Sequence, residues 1–405
     1  MRSVELFAGG GGLALGTHLA GFSTEVVAEW NSWCCDTLRE NRDTGYPLAH
    51  GMTVREGDVR EVDWSGLQGR IDLVSGGPPC QPFSAGGQAK AHGDSRDMFP
   101  ATAEVIRQIQ PKAFIIENVR GLTRARFAPY FEYIQARLAY PNIRPRPDES
   151  WTDHYSRLTR RSRSVDEASH YNVTATLVNA ADYGVPQQRW RVFLVGFRSD
   201  IDSLWAFPPA THSKELLRIE KQVTGRYWER HGVAPADRPE SSVRRPIAEV
   251  PSGLKPWRTV RDAIGEMPPP TLDASERYLN HVLQPGARSY PGHTGSPIDE
   301  PAKALKAGVH GVPGGENMLR NPDGSIRYFT VREAARLQTF PDRYALHGPW
   351  SEAMRQLGNA VPALLAQAVA SSVHEHLALN EVRSYLTHDS HLGAESAAPS
   401  NEVAA

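Results

Sequence analysis

The chain has 405 residues, of which 40% are hydrophobic and 22% charged, and its net charge is −1 at pH 7. This length predicts one large domain plus a smaller one, and without a run of about 18 apolar residues we expect no membrane span. Because the net charge is close to zero, any contact with nucleic acid must rest on local basic clusters. Its three cysteines, Cys34, Cys35 and Cys80, form no Cys-x-x-Cys pair, so we expect no metal, no disulfide framework and a cytoplasmic location.

A strand over residues 4–7 precedes a glycine-rich turn and a helix over residues 8–16. This order is typical of a nucleotide-binding corner, because glycines let the backbone approach the ligand and the helix N-terminus offers free N–H groups. The pattern Gly9-x-Gly11-x-x-Ala14 also fits the dinucleotide fingerprint, so the loop alone leaves the cofactor open.

The second and third strands each end near an acidic residue. The strand over 24–28 ends at Glu29, which can bind the two hydroxyls of a ribose, and the next residue, Trp30, either lies against an adenine ring or packs in the core. Asp58, at the end of the third strand, either accepts a hydrogen bond from the adenine amine or belongs to a turn.

An apolar run over 71–74 leads into two glycines and two prolines that are followed by Cys80. The glycines permit a sharp turn and the prolines stiffen it, so Cys80 is held at the ligand-binding edge of an open α/β sheet. The alternative is an ordinary proline-rich turn. Residues 85–97 are predicted to form a loop that closes over a substrate, and Glu117 follows a fifth strand at the same edge.

Residues 140–169 are rich in proline and arginine and are predicted to form a connection, either exposed or in contact with phosphate. Two further strands follow, over 172–178 and 190–196. Arg189 and Arg191 are two residues apart at a strand start, so both should point to one face, where paired arginines suit phosphate or base recognition.

Composition divides the rest of the chain. Residues 199–321 lose hydrophobic periodicity and are predicted to form a small domain inserted into a larger one, which comprises 1–198 and 322–388. Within the returning part, Thr330 and Glu333 fit a helix capping box. Residues 389–405 are small and polar and are predicted to be a disordered tail.

These pieces, in this order, resemble the DNA cytosine-5 methyltransferase family, in its compact bacterial modification type. The resemblance implies S-adenosylmethionine as cofactor and an α/β, Rossmann-like fold: a mixed seven-stranded sheet with a small inserted target-recognition domain. It also implies that the last motif packs beside the first. The motifs that carry it are residues 7–12, Pro78-Pro79-Cys80, Glu117-Asn118-Val119, residues 187–191, residues 330–333 and residues 358–362.

The family's residues transfer onto matching positions of this chain. Cys80 would add to carbon 6 of a cytosine, a protonated Glu117 would neutralise charge at nitrogen 3, and Arg191 would bind O2 with Arg189 in support. The target base must first be flipped out of the duplex. The expected cofactor contacts are Phe7, Ala8, Gly9, Gly11, Leu13, Glu29, Trp30, Asp58, Val59, Pro79, Asn359 and Val361.

The expected partner is double-stranded DNA, bound by a monomer in the cytoplasm at the nucleoid. The enzyme would either protect host DNA beside a cognate restriction endonuclease, without forming a complex with it, or act as an orphan methylase. Two alternatives are a tRNA cytosine-5 methyltransferase of the same fold, whose recognition region is shorter than residues 199–321, and a non-catalytic DNA-binding relative. A third alternative, a dehydrogenase, would be supported only by the glycine loop and by no other motif.

Replacing the thiol tests the role assigned to Cys80. Cys80→Ser should abolish methyl transfer and leave cofactor binding nearly intact, because a hydroxyl is a far weaker nucleophile than a thiolate. A duplex carrying 5-fluorocytosine should trap the wild-type enzyme covalently, since fluorine cannot leave as a proton does. Substantial turnover by the serine variant would contradict the assignment.

Overall fold

A computed structural model describes residues 1–45, 48, 51–79, 97–161, 170–201, 204–239, 250–273, 277–291, 293–307 and 317–395. For residues 161 and 384–395 it describes the backbone alone. Cys80 and all of the predicted closing loop except its last residue lie outside the described residues.

A seven-stranded sheet runs through the large domain in the order β3-β2-β1-β4-β5-β8-β6, which confirms the predicted mixed α/β sheet. Every strand is parallel to its neighbours except β8, which runs antiparallel to β5 and β6. The chain order reverses between β1 and β4, and ligands bind open α/β sheets at such a reversal, outside the carboxyl ends of the strands. The strands so far are β1 (Arg2–Leu6), β2 (Ser23–Glu29), β3 (Thr53–Glu56), β4 (Leu73–Gly76), β5 (Ala113–Val119), β6 (Tyr171–Asn179), β7 (Gln187–Gln188, outside this sheet) and β8 (Trp190–Arg198).

Helices cover both faces of the sheet. One face packs against α3, α4 and α5, and the other against α1 and α11. No helix in the described ranges combines the length and apolar character that a membrane span requires. The helices are α1 (Gly12–Leu19), α2 (Ser32–Asp43), α3 (Phe99–Ile109), α4 (Ala128–Ala139), α5 (Trp151–Arg161), α6 (Lys214–Gln222), α7 (Arg226–Arg230), α8 (Val260–Ile264), α9 (Val331–Leu337), α10 (Trp350–Asn359) and α11 (Ala363–Glu395).

Helix α5 corrects the prediction of a connection without secondary structure over 140–169. Trp151, His154, Tyr155 and Leu158 fall at helical spacing, and His154 and Leu158 are fully buried. Arg157, which was predicted to be exposed or in contact with phosphate, instead pairs with Glu149 at 2.6 Å.

The predicted tail at 389–405 begins inside a helix, because α11 continues to Glu395. The sequence between Pro362 and Gly393 contains neither proline nor glycine, so nothing in it stops the helix at 389. Residues 396–405 lie outside the described residues.

The predicted small domain contains short strands and shares part of its core with the large one. Leu217, Tyr227, Trp228 and Trp257 form a cluster of their own with Ala181. Further along the chain, Val260, Ile264 and Leu305 pack in one cluster with residues of α1 and β2. The division at 199 and 321 therefore stays a prediction, and Val260, Ile264 and Leu305 contribute to a core that both parts share. The short strands are β9 (His212–Ser213), β10 (Lys255–Pro256), β11 (Ser296–Pro297), β12 (Ala302–Lys303) and β13 (Met318–Arg320). A further short strand, β14 (Ile326–Tyr328), lies in the predicted returning part and pairs with β13.

The end of the described chain returns against its beginning, as the resemblance implied. A Cβ atom on Gly12 would overlap the carbonyl oxygen of Val361, and one on Gly16 would overlap the side chain of Ala366. The absence of side chains at these glycines thus lets α1 pack closely against α11 and the residues before it.

One carboxyl group is buried in the middle of this sheet. Glu5 on β1 is 1% exposed, and its Oε2 accepts a hydrogen bond from the Ser75 hydroxyl at 3.0 Å. Burial, with a smaller contribution from the charge of Glu29, raises the pKa of Glu5 to about 8.

Gly16→Ala should destabilise the fold by about 1–3 kcal/mol, because the new methyl group overpacks the α1–α11 contact. Urea denaturation of the two proteins would show this as a lower midpoint. Gly66→Ala is the matched control, since nothing lies within 4 Å of a Cβ atom at that position. Equal midpoints for Gly16→Ala and the wild type would show that the two helices do not need this close approach.

The buried carboxyl of Glu5 predicts a pH dependence of stability. Its pKa rises from 4.5 to about 8 on folding, so from about pH 4.5 to about 8 the unfolded chain releases a proton that the folded chain keeps, and stability falls as the pH rises. Glu5→Gln should therefore lose less stability than the wild type between pH 6 and pH 9, as measured by urea denaturation. Glu375→Gln, at an exposed position on α11, should behave as the wild type. Parallel losses in the Glu5 variant and the wild type would contradict the assignment.

Candidate active site

The glycine loop lies at the carboxyl end of β1, where the strand order reverses. Phe7, Gly9 and Gly11 have φ angles of +55°, +53° and +83°, so the loop curls away from the strand before α1 begins. The space beside Gly9 is open, because nothing lies within 4 Å of a Cβ atom built there. Ala8 and Leu13 are buried beneath the loop.

Glu29 fastens this loop to the end of β2. Its Oε2 accepts a hydrogen bond from the Gly9 N–H at 2.8 Å, and its Oε1 accepts from the Trp30 and Asn31 N–H groups at 3.0 and 2.9 Å. Trp30 is 78% exposed, so the alternative that it packs in the core is wrong.

Asp58 lies at the end of β3, as predicted, and is bound to Arg60. The distance from Arg60 Nη2 to Asp58 Oδ2 is 2.5 Å, and the hydrogen bonds from Arg60 hold the pKa of Asp58 below its ordinary value. The neighbouring Val59 is buried.

These residues fit an adenosyl cofactor. The space beside Gly9 is open and could hold the cofactor, and the exposed indole of Trp30 offers an aromatic face. The carboxylates of Glu29 and Asp58 offer hydrogen-bond acceptors. The returning segment completes this edge, with Asn359 exposed at the end of α10 and Val361 buried against α1.

The second half of the site is a buried ion pair between β5 and β8. Arg191 Nε lies 2.6 Å from Glu117 Oε1, and the two side chains are 12% and 9% exposed. Burial raises the pKa of Glu117 above its ordinary value, and the charges of Arg191 and Arg189 oppose that rise.

The loop that leads to Cys80 rests directly on this pair. The Asn118 side-chain amide donates to the Pro78 carbonyl at 3.2 Å, and a Cβ atom on Gly77 would lie 3.1 Å from Glu117 Oε2. Pro79, the last described residue before Cys80, is exposed at the same edge.

Arg189 is brought near Glu117, but its hydrogen bonds go elsewhere. It is 1% exposed and donates to the carbonyls of Leu305 at 2.9 Å and Gly358 at 2.5 Å. Burial lowers its pKa well below the usual arginine value. Arg189 therefore ties the start of β8 to two distant segments.

Two glutamines, Gln187 of the motif at residues 187–191 and Gln338, continue this framework. Gln187 accepts from the Leu305 N–H at 3.0 Å and donates to Gln338 Oε1 at 3.2 Å. Gln338 in turn donates to the carbonyls of Leu357 and Ala360. Their partners are up to 151 residues away in the sequence, so no local pattern could reveal them. Among the described side chains, no cluster of three or more His, Cys, Asp or Glu residues is arranged to hold a metal ion.

Known proteins share this arrangement along most of the chain. The sequence profile of the family described as C-5 cytosine-specific DNA methylase matches residues 1–140 and 152–375. The Type II methyltransferase M.PspPI of Psychrobacter sp. (strain TA137) is 30% identical over 375 residues, which cover 91% of this chain and 78% of that protein. M.Eco47II of Escherichia coli is 31% identical over 388 residues, with the same coverage, and M.NgoPII of Neisseria gonorrhoeae is 27% identical, covering 93% of this chain and 96% of its own.

Solved structures agree on the fold. A DNA modification methyltransferase encoded within an E. coli prophage superposes with a TM-score of 0.55 at 20% identity, covering 93% of this chain and 99% of that one. The Dnmt2 methyltransferase of S. pombe gives a TM-score of 0.54 at 16% identity, with the same coverage. The chain belongs to the C-5 cytosine-specific DNA methylase family, and it transfers a methyl group from S-adenosylmethionine to carbon 5 of cytosine in DNA.

Proposed function

We propose that this enzyme modifies cytosine within a specific DNA sequence, with Cys80 as nucleophile and the Glu117–Arg191 pair as the group that polarises the base. The observation that carries the proposal is the buried ion pair at 2.6 Å beneath the residues that lead to Cys80. The role of Cys80 is proposed from its position in the sequence motif alone, because Cys80 lies outside the described residues.

The chemistry requires the ring to become electron-rich at carbon 5. A thiolate that adds to carbon 6 breaks the aromatic system, forms a carbon–sulfur bond and pushes electron density towards carbon 5. Negative charge then develops at nitrogen 3 and O2, where hydrogen-bond donors stabilise it. Loss of the carbon 5 proton after methylation allows the Cys80 thiolate to leave.

Glu117 suits the position at nitrogen 3 because its pKa lies above the ordinary carboxyl range. Burial makes the paired carboxylate of Glu117 easier to protonate than an exposed one, and once protonated it can donate to the ring, whereas the ionised form could only accept. Arg191 remains beside it as a donor towards O2. Arg189 serves as a positioning residue, since its hydrogen bonds hold the backbone from which Arg191 extends.

The cofactor contacts follow the open edge of the sheet. Glu29 and Asp58 would bind the ribose hydroxyls and the adenine amine, and Trp30 would cover the adenine ring. Phe7, Pro79, Asn359 and Val361 lie along the same edge. When bound there, S-adenosylmethionine supplies an electrophilic methyl group on a sulfonium.

The substrate arrangement extends the same proposal. A monomer flips one cytosine out of the duplex, and side chains within residues 199–321 read base edges in the major groove. Relatives named as Type II methyltransferases support a modification role beside a cognate restriction endonuclease that acts separately on the same site. Such an enzyme works in the cytoplasm on nucleoid DNA. The match to a DNA methylase family does not favour the tRNA alternative.

Glu117→Gln tests the polarising role. The amide keeps the size of the side chain but cannot transfer a proton to nitrogen 3, so kcat should fall by about 10²–10⁴-fold with cofactor affinity unchanged. Transfer of a radiolabelled methyl group to duplex DNA measures kcat, and calorimetry measures cofactor binding.

Glu375→Gln is the matched control, because Glu375 is an exposed carboxylate on α11 and its variant should retain full activity. A Glu117→Gln enzyme that turned over within threefold of the wild type would contradict the role proposed for Glu117.

A further inference from the structure

Three exposed arginines follow the catalytic carboxylate in sequence. Arg120, Arg124 and Arg126 lie in the two short turns between β5 and α4. Within the described part of the chain, none of them has a carboxylate at ion-pair distance. Several other arginines in the first half of the chain are paired, for example Arg107 with Glu104 at 2.7 Å, Arg157 with Glu149 at 2.6 Å and Arg198 with Asp200 at 2.7 Å.

The first of the three arginines is held in place by an aromatic ring. The guanidinium carbon of Arg120 lies 5.3 Å from the ring centroid of Trp190, which is 40% exposed. Trp190 directly precedes Arg191, and Arg191 Nη1 donates to the Trp190 carbonyl at 2.8 Å. Because side chains alternate along a strand, Trp190 and Arg191 leave β8 on opposite faces of the sheet. The Arg120–Trp190 contact therefore lies just past the end of β5, where it forms a rim on the sheet face opposite the Arg191 side chain.

This placement suits the backbone of the DNA substrate. Arg120 is three residues from Glu117, a chain distance of at most about 10 Å. DNA carries one phosphate per ~3.4 Å of each strand, so a cytosine held at Glu117 brings neighbouring phosphates to this rim. With a net charge of −1, the protein attracts DNA through local clusters of this kind and not through its overall charge.

We propose that Arg120, Arg124 and Arg126, here named the arginine strip, bind phosphates of the DNA strand on either side of the flipped cytosine. Trp190 acts as a positioning residue that orients Arg120. The inference rests on the proposed function in one respect, since it takes the target base to be held at Glu117.

Equilibrium DNA binding by the full chain at several salt concentrations tests the strip. Arg124→Ala combined with Arg126→Ala should weaken binding and reduce the slope of log K against log salt by about 1.8, the value for two lost phosphate contacts. The loss should be equal for a duplex with and without the methylated sequence, because phosphate contacts carry no sequence information. The double lysine variant, Arg124→Lys with Arg126→Lys, should restore most of the slope.

Arg146→Ala is the matched control. Arg146 is also exposed, and it lies beyond the other end of α4, a helix about 18 Å long, so its removal should change neither affinity nor slope. An unchanged slope in the Arg124/Arg126 alanine variant would overturn the strip.

A double-mutant cycle tests whether Trp190 affects DNA binding through Arg120. Arg120→Ala and Trp190→Ala should weaken DNA binding to a similar extent, and the combined variant should bind no more weakly than either one, because they remove the same contact. Fully additive losses would overturn the positioning role of Trp190.

The strip and the proposed function can fail separately. If DNA binding depends on salt and on the arginine strip but methyl transfer does not depend on Glu117, the proposed function is contradicted and the phosphate contacts are supported. If methyl transfer depends on Glu117 but the arginine-strip variants bind DNA as the wild type does, only the role proposed for the strip is contradicted.

Discussion

The ion pair between Glu117 and Arg191 is the interaction on which the catalytic edge depends. Two charges removed from water are costly unless each has a close partner, and here the partners are 2.6 Å apart. The contact exists because β8 runs antiparallel to β5, with Arg191 opposite Val119 in the register. A parallel strand in that place would begin at the other edge of the sheet. The single reversed strand is therefore what delivers an arginine to the end of β5.

Distant parts of the chain hold that arrangement in position. Arg189 bonds to carbonyls at positions 305 and 358, and Gln187 and Gln338 join the same segments. Gly12 makes room for Val361, so the cofactor edge is built from both ends of the described chain. The glycine loop and the Glu117–Arg191 pair share one framework, because the segment that contacts Arg189 also runs beside the glycine loop.

Local patterns predicted the sheet and most of the site. The glycine loop, the strand ends at Glu29 and Asp58, and the carboxylate at Glu117 each follow from a few neighbouring residues. What the sequence could not decide depends on contacts between distant segments. The pattern left Trp30 open between core and surface, and only the packing around it showed that the ring is uncovered. The spacing of Arg189 and Arg191 does not separate their roles, which only the resemblance assigned, but in the structure one bonds to distant carbonyls and the other pairs with Glu117.

Methylation of carbon 5 of cytosine within a particular DNA sequence is the activity that we propose for this chain. Its most direct test is expression in a host that lacks cytosine methylation, followed by bisulfite sequencing of the host genome. We expect cytosines resistant to conversion to occur at one position of a single short recurring sequence. A genome without resistant cytosines, or with resistant cytosines scattered without a common sequence, would contradict it.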